Sequence, residues 1–413
     1  MKKLLIVSAI TASTLMAQGY RIPEQSLNST ALAGAYVSNT SAADAAYFNP
    51  ANMAFMSSDK HLEMNMMYIH LNPVDFNGQL DLDGDGSLDT PQHTAQSASE
   101  DFIIPQMYLV AAPMGEDEDV RFGLSVNAPA GLSKRWPEGI QAVFAEEFSL
   151  KVIEINPTLS YRIMDNLAIA GGVRFLYSEG VIKAGGPVET GGLALEGSSW
   201  DVGYNLALSY RPMDMWGVAL TYRSTVDLTM EGGAELPSYA APMTHVSGGT
   251  SVPVPGVLTL ATDVDVTEST NIEFVYERVF WSAYDQLDIE INYPDMFGGT
   301  VNIISDKNWE DANSFRLGLT QKFGDAVDLM VGLAYDQTGT PDETLGFELP
   351  DSDGYIGSVG VRYAVDDKLD VGAAVLYDKK EDRYVSLQDN GLIDGTFSGA
   401  SAVLLSVGLG YKF

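Results

Sequence analysis

The sequence predicts an all-β protein, a fourteen-stranded antiparallel transmembrane β-barrel. Three observations lead there: a strictly alternating strand at the end of the chain, short polar turns that alternate with long connections, and an apolar stretch at the start. The closing strand is the clearest. In VLLSVGLGYKF, Val403, Leu405, Val407, Leu409, Tyr411 and Phe413 fall on one face, and Leu404, Ser406, Gly408, Gly410 and Lys412 on the other. Side chains alternate along a strand, and about 9 to 11 tilted residues are enough to cross a bilayer.

The start of the chain supplies a compartment. Met1-Lys2-Lys3 is cationic, Leu4 to Ile10 mostly apolar, and Leu15-Met16-Ala17 a small-residue approach to a cut before Gln18, the pattern of a secretory signal peptide over residues 1–17. A helix kept in the mature chain is the other reading, but its apolar part is too short to span a membrane. With an export signal in place, a last strand ending on Phe413 resembles the closing strand of bacterial outer-membrane barrels, so the bacterial outer membrane is the expected location.

Composition narrows the classes. The net charge is −33 and the chain has no cysteine. Disulfides, thiolate metal sites and a cysteine nucleophile are therefore excluded, and so acidic a surface argues against nucleic-acid partners, whose phosphates attract the opposite sign. No run of about eighteen apolar residues occurs, which excludes membrane-spanning helices. A barrel hides in such a balance because its lipid-facing residues alternate with polar ones.

The same period of two recurs along the chain. Trp200, Val202, Tyr204, Leu206, Leu208 and Tyr210 alternate with Asp201, Gly203, Asn205, Ala207, Ser209 and Arg211; then Trp216, Val218, Leu220 and Tyr222 alternate with Gly217, Ala219, Thr221 and Arg223. Only Pro212-Met213-Asp214-Met215 lies between them. Tight turns are also predicted at Met164-Asp165-Asn166, Gly324-Asp325-Ala326 and Asp366-Asp367-Lys368. Long connections, rich in Gly, Pro and Asp, are expected at roughly 72–100, 180–198, 231–253, 286–310 and 382–397. That asymmetry marks an outer-membrane barrel and is foreign to a soluble β-sandwich. Counting from about residue 60 gives fourteen strands, an even number that leaves both ends on the periplasmic side.

Parity then sorts the faces. Tyr161, Tyr210, Trp216, Tyr363 and Tyr411 fall near short turns, and Tyr177, Tyr222, Tyr335 and Tyr377 toward long connections, as interfacial girdles would. Arg162, Arg174, Arg211, Arg223, Arg316 and Arg362 share the opposite face with Glu154, Asp201, Glu273, Glu277, Asp328 and Asp370. Facing lipid, an arginine costs about 2 to 4 kcal/mol at the midplane, so these side chains point inward. They are expected to pair with one another and with whatever fills the lumen.

Residues 18–58 are not written like a strand. They contain Ala33-Gly34-Ala35-Tyr36, Asp44 and Phe48-Asn49-Pro50-Ala51, and Ala128-Pro129-Ala130-Gly131-Leu132 follows the third strand. With the Phe413 ending, these features resemble the FadL-type outer-membrane transporters of fatty acids and other hydrophobic compounds. The resemblance implies three parts: a signal peptide at 1–17, an N-terminal hatch or plug inside the lumen at 18–58, and the barrel at 59–413. It further implies that Asn49, Pro50 and Ala51 fix the hatch where it meets the first strand. Pro129 and Gly131 would mark a kink in the third strand that opens the wall sideways. Proline lacks a ladder donor, so regular pairing is expected to end there in any case.

The first long connection carries Asp81-Leu82-Asp83-Gly84-Asp85-Gly86-Ser87-Leu88-Asp89. Oxygens from Asp81, Asp83, Asp85, Ser87 and Asp89, with glycine sixth, match the start of a calcium loop, although Gln92 stands where a bidentate glutamate belongs. A structural calcium ion is therefore an expectation, and no cofactor is otherwise required. Function is expected to be uptake of a hydrophobic small molecule by a monomer set among outer-membrane lipid and lipopolysaccharide. A general porin for hydrophilic solutes shares the barrel but needs no hatch. An outer-membrane hydrolase needs a histidine beside a serine or aspartate, and His61, His70, His93 and His245 sit in no recognisable motif.

Overall fold

The computed structural model describes residues 19–115, 118–185, 192–236, 244–293 and 299–413. The leader assigned to 1–17, and its cut before Gln18, lie outside them. The expected strands form a closed antiparallel barrel of fourteen. His61–Leu71 is the first strand and Ser401–Lys412 the last, and they pair from His61 opposite Lys412 to Leu71 opposite Ala402. The ring thus leaves no edge at its seam, which keeps backbone groups bonded where no water can serve them.

Between these two come Glu100–Val110, then a third strand in two pieces, Val120–Asn127 and Gly131–Lys134. The fourth to sixth, Glu147–Met164, Leu167–Ala184 and Leu193–Met213, are the longest. Trp216–Arg223, Gly256–Thr267, Thr270–Phe280, Ala312–Phe323, Val327–Asp336, Gly354–Ala364 and Leu369–Lys380 complete the wall. The alternation read from the sequence decides the faces: Trp200, Val202, Tyr204 and Leu206 are exposed toward lipid, while Asn205, Ala207 and Ser209 between them are buried.

The long connections differ from expectation. Val226–Leu236, Thr244–Val254, Gln286–Tyr293 and Gly299–Asp306 are strands, not loops, and continue the wall past the level where the other strands stop. Their glycines and aspartates read as loop composition, yet each strand pairs with a neighbour, and two keep a buried apolar face through Val226, Leu228 and Met230 and through Leu287, Ile289 and Ile291. Further long connections run over 135–146 and 337–353. The first and last connections share a small separate sheet, in which Asp75–Leu80 pairs with His93–Gln96 and with Ile393–Ser398. Aromatic packing knits this cap together: Phe347 lies against Phe76, Trp136, Phe144 and Phe397, at ring separations of 5.1 to 5.7 Å.

Candidate functional site

Residues 19–56 are almost wholly buried, among the inward side chains of the wall. Their local structure follows from their own caps. The Ser26 hydroxyl accepts the Ser29 N–H at 3.2 Å and starts a short helix, Leu27–Ala31, which Ala33 and Gly34 end with positive φ of 50° and 79°. Asn49 accepts the Ala51 N–H at 3.2 Å, and Pro50 opens the 3-10 turn Pro50–Phe55, its missing N–H being one the turn cannot use. The same Asn49 donates to the Val37 carbonyl at 2.9 Å and to Ser209 of the wall at 2.8 Å. The buried Ala51 leaves room for this fit. Tyr36 donates to Asp44 at 3.0 Å, and Asn28 reaches both. Burial, with the Glu63 carboxylate nearby, raises Asp44 to about 8.

The wall is shaped to receive this segment. A Cβ at Gly332 would lie 2.1 Å from the Leu32 carbonyl carbon, and one at Gly360 would lie 2.4 Å from the Ala31 Cβ. Glycine is required there for close approach. The inward charges expected from parity provide the anchors. Glu273 accepts the backbone N–H groups of Val37, Ser38 and Asn39 at 2.7, 2.6 and 3.3 Å. Arg316 donates to the Ala33 carbonyl at 2.9 Å and bridges Glu24, Glu277 and Asp336. Arg362 joins Asn28, Glu63 and Asp370. Arg174 and Arg223 share Glu154, and Arg211 lies over the Phe55 ring. Such buried pairs add little net stability, but each becomes costly once one partner leaves, so they fix position.

The third strand is where the wall breaks. Only Met107 to Val110 of the second strand pair with it, opposite Val126 to Gly123. Beyond that, Glu100 to Gln106 keep their partners in the first strand, while Gly131–Lys134 pair with the fourth. Pro129 sits in the break and Gly131 opens the piece after it. The break is lined from inside by the start of the buried segment. Ile22 donates to the Pro129 carbonyl, and Gly131 donates to the Tyr20 carbonyl, both at 2.9 Å. Gln25 imitates a strand neighbour: its side-chain oxygen accepts the Ala128 N–H at 3.1 Å, and its amide donates to the Ala128 and Ile22 carbonyls at 2.8 and 2.9 Å. Residues 20–25 thus satisfy backbone groups that the kink withdraws from the ladder.

Two cavities flank this segment. Toward the long connections lies an apolar one of about 770 Å³, its walls including Leu132, Phe148, Leu195 and Leu349, with Tyr20, Tyr284 and Trp309 at one side. Toward the short turns lies a polar one of about 1270 Å³, reaching Glu63, Glu273, Asp328, Arg362 and Asp370. The buried segment separates them. The apolar chamber can hold an oily molecule, and the polar one cannot.

Asp81, Asp83 and Asp89 bring carboxylate oxygens within 4.8 Å of one another between the first two strands of the loop sheet. Asp85 and Ser87 do not join them: Asp85 accepts the N–H and hydroxyl of Ser87. His61 meets Ser57 at 3.1 Å, but Asp59 also bonds that serine and not the imidazole, so no proton relay is built.

The sequence singles out Asn49, Pro50, Ala51, Pro129 and Gly131 as candidates but gives no sign of Gln25 or the cavity. A glutamine has no local signature, and the cavity residues lie far apart in the chain, so only folding brings them together.

The family profile described as "Outer membrane protein transport protein (OMPP1/FadL/TodX)" matches residues 8–413. The chain is 22% identical to the long-chain fatty acid transport protein of Escherichia coli O6:H1, over 91% of each chain. To a 47 kDa outer membrane protein of Pasteurella multocida it is 23% identical, over 98% of this chain and 96% of that one. In fold it is similar to a Pseudomonas aeruginosa FadL homologue (TM-score 0.83, 19% identity, 96% of this chain and 100% of that one). The Pseudomonas putida toluene transporter TodX is also similar (TM-score 0.71, 14% identity, 94% and 98%).

Proposed function

The chain belongs to the outer membrane protein transport family (OMPP1/FadL/TodX), and from that premise we propose that it carries hydrophobic compounds, long-chain fatty acids or hydrocarbons, inward across the outer membrane. Relatives named for long-chain fatty acid and toluene transport support an uptake channel and not an enzyme. The observation that carries the reading is an apolar cavity held between the external loops and a segment buried in the lumen. A general porin would leave that lumen to water.

Cargo is caught by the loops, rests in the apolar cavity, and leaves sideways through the break beside the third strand once residues 20–25 release it. Residues 18–58 act as the hatch, and Asn49, Pro50 and Ala51 hold its far end while the near end moves. Apolar surface gains about 25 cal/mol per Å² on leaving water, so a lateral exit keeps a gain that a periplasmic route discards. Replacing Pro129 and Gly131 with Val and Thr should draw the third strand back into the ladder and reduce uptake of a hydrophobic tracer by a correctly folded variant. Uptake equal to the parent's refutes exit at this place.

The Asp81, Asp83 and Asp89 oxygens fit a weak structural calcium site in the loop cap, with Asp85 and Ser87 turning toward the ion when it binds. Calorimetry should show calcium heat that is lost when Asp81 and Asp85 are both replaced by Asn. No heat at millimolar calcium rejects the site. The protein acts as a monomer among lipid and lipopolysaccharide, which sedimentation in detergent tests.

A further inference from the structure

Resting on the reading that the apolar cavity holds cargo, we infer that it selects cargo without an ionised head group, and that Glu348 is the residue that turns carboxylates away. Among the described residues on its wall, Lys307 and Glu348 are the only charged side chains, and they are joined to each other at 2.5 Å, with 7% and 21% of their side-chain surfaces exposed. The one cation a carboxylate cargo would seek is therefore already taken.

The pair is held in place from both sides. The Lys307 N–H donates to the Asp285 carbonyl at 2.7 Å, and its own carbonyl accepts the Thr344 hydroxyl. The Glu348 carboxylate lies over the bare backbone of Gly346, where an added Cβ would sit 2.1 Å from its oxygen. An arriving carboxylate must either displace Glu348, leaving that charge unpaired in an apolar chamber, or sit beside it with like charge. Both are costly, because breaking a poorly solvated pair forfeits more than forming it gained. The chain's net charge of −33 opposes approach of the same anions from outside. The Tyr20 hydroxyl on the wall is also engaged, donating to the Pro253 carbonyl at 2.5 Å, and the Thr340 hydroxyl, which has no partner, is left as a neutral group. The rest of the wall is mainly aliphatic side chains and ring faces, with Tyr284 and Trp309 edge-on at 5.1 Å. That suits a neutral hydrocarbon.

The test uses the full-length protein in lipid nanodiscs at neutral pH, with butylbenzene and the ionised 4-butylbenzoate as matched probes. Each binding signal, read from tryptophan fluorescence, is corrected for partition into protein-free nanodiscs. The parent should prefer butylbenzene by about tenfold or more, and Glu348→Gln should shift the ratio of the two affinities toward the benzoate by about tenfold or more, roughly 1.4 kcal/mol. Should Glu348→Gln fail the heat-mobility test of folding, the double variant Lys307→Met, Glu348→Gln serves instead: having lost both charges, it should narrow the parent's preference by removing the repelling carboxylate. Equal binding of both probes by the parent, or an unchanged ratio in the folded variant, overturns the inference. If the parent binds neither probe, the cavity is not a cargo site, and the reading beneath the inference falls with it.

Discussion

Replacing Gln25 with Leu should loosen the seal over the broken wall. The substitution keeps volume but removes three hydrogen bonds, two to Ala128 and one to Ile22. At about 0.5 to 1.5 kcal/mol each, their loss weakens the closed state by roughly 1.5 to 4.5 kcal/mol. Ala128 is buried, so its N–H and carbonyl then lack partners and the upper half of that range applies. With 1.4 kcal/mol per factor of ten, the open fraction should rise by about 100- to 1,000-fold. Single-channel recording in planar bilayers reads this directly as time spent conducting. Gln25→Glu, which keeps the acceptor for the Ala128 N–H and loses the donor, should fall between the two. If a folded Gln25→Leu barrel stays as closed as the parent, residues 20–25 do not seal the break and the reasoning fails.

Two further outcomes follow from the lumen. Gly360→Val puts a side chain where the Ala31 Cβ already lies 2.4 Å from the added carbon. Overpacking of this kind costs about 1 to 3 kcal/mol, so the temperature at which the barrel changes gel mobility should fall and basal conductance should rise. The second concerns Asp44, which burial and then Glu63 raise to about 8. A carboxyl raised in the folded state favours docking below its unfolded range, and that contribution disappears as pH climbs through the folded value. Hatch closure should therefore weaken as pH rises from about 4 toward about 8 and level off above that, and Asp44→Asn should flatten this pH dependence of conductance; a dependence that persists in the variant assigns it to another group.

Much of the barrel was legible because its code is local. The alternation from Trp200 to Tyr222 needs no knowledge of distant residues, and lipid on one side makes a slip of one residue costly. Pro129 was legible for the same reason, since a missing donor breaks a ladder wherever it falls. The strands Val226–Leu236 and Thr244–Val254 were not, because the glycine pairs Gly232-Gly233 and Gly248-Gly249 interrupt their pattern and read as loop composition. The anchors of the buried segment were equally hidden: Glu273 meets Val37 across 236 positions, and no local pattern records such a partner. The inward sign of the arginines could be read, but their partners could not.

A reversible lock across the break tests lateral exit most directly. The chain has no cysteine, and Arg21 and Ala130 face each other as an antiparallel bridge pair without mutual hydrogen bonds, a geometry with Cα atoms about 4.5 Å apart that a disulfide spans. With Arg21→Cys and Ala130→Cys in one chain, uptake of a hydrophobic tracer should match that of the two single variants when reduced, stop when oxidised, and return on adding dithiothreitol. Full uptake by the oxidised, cross-linked barrel would contradict the claim that cargo leaves past residues 20–25 at the third strand.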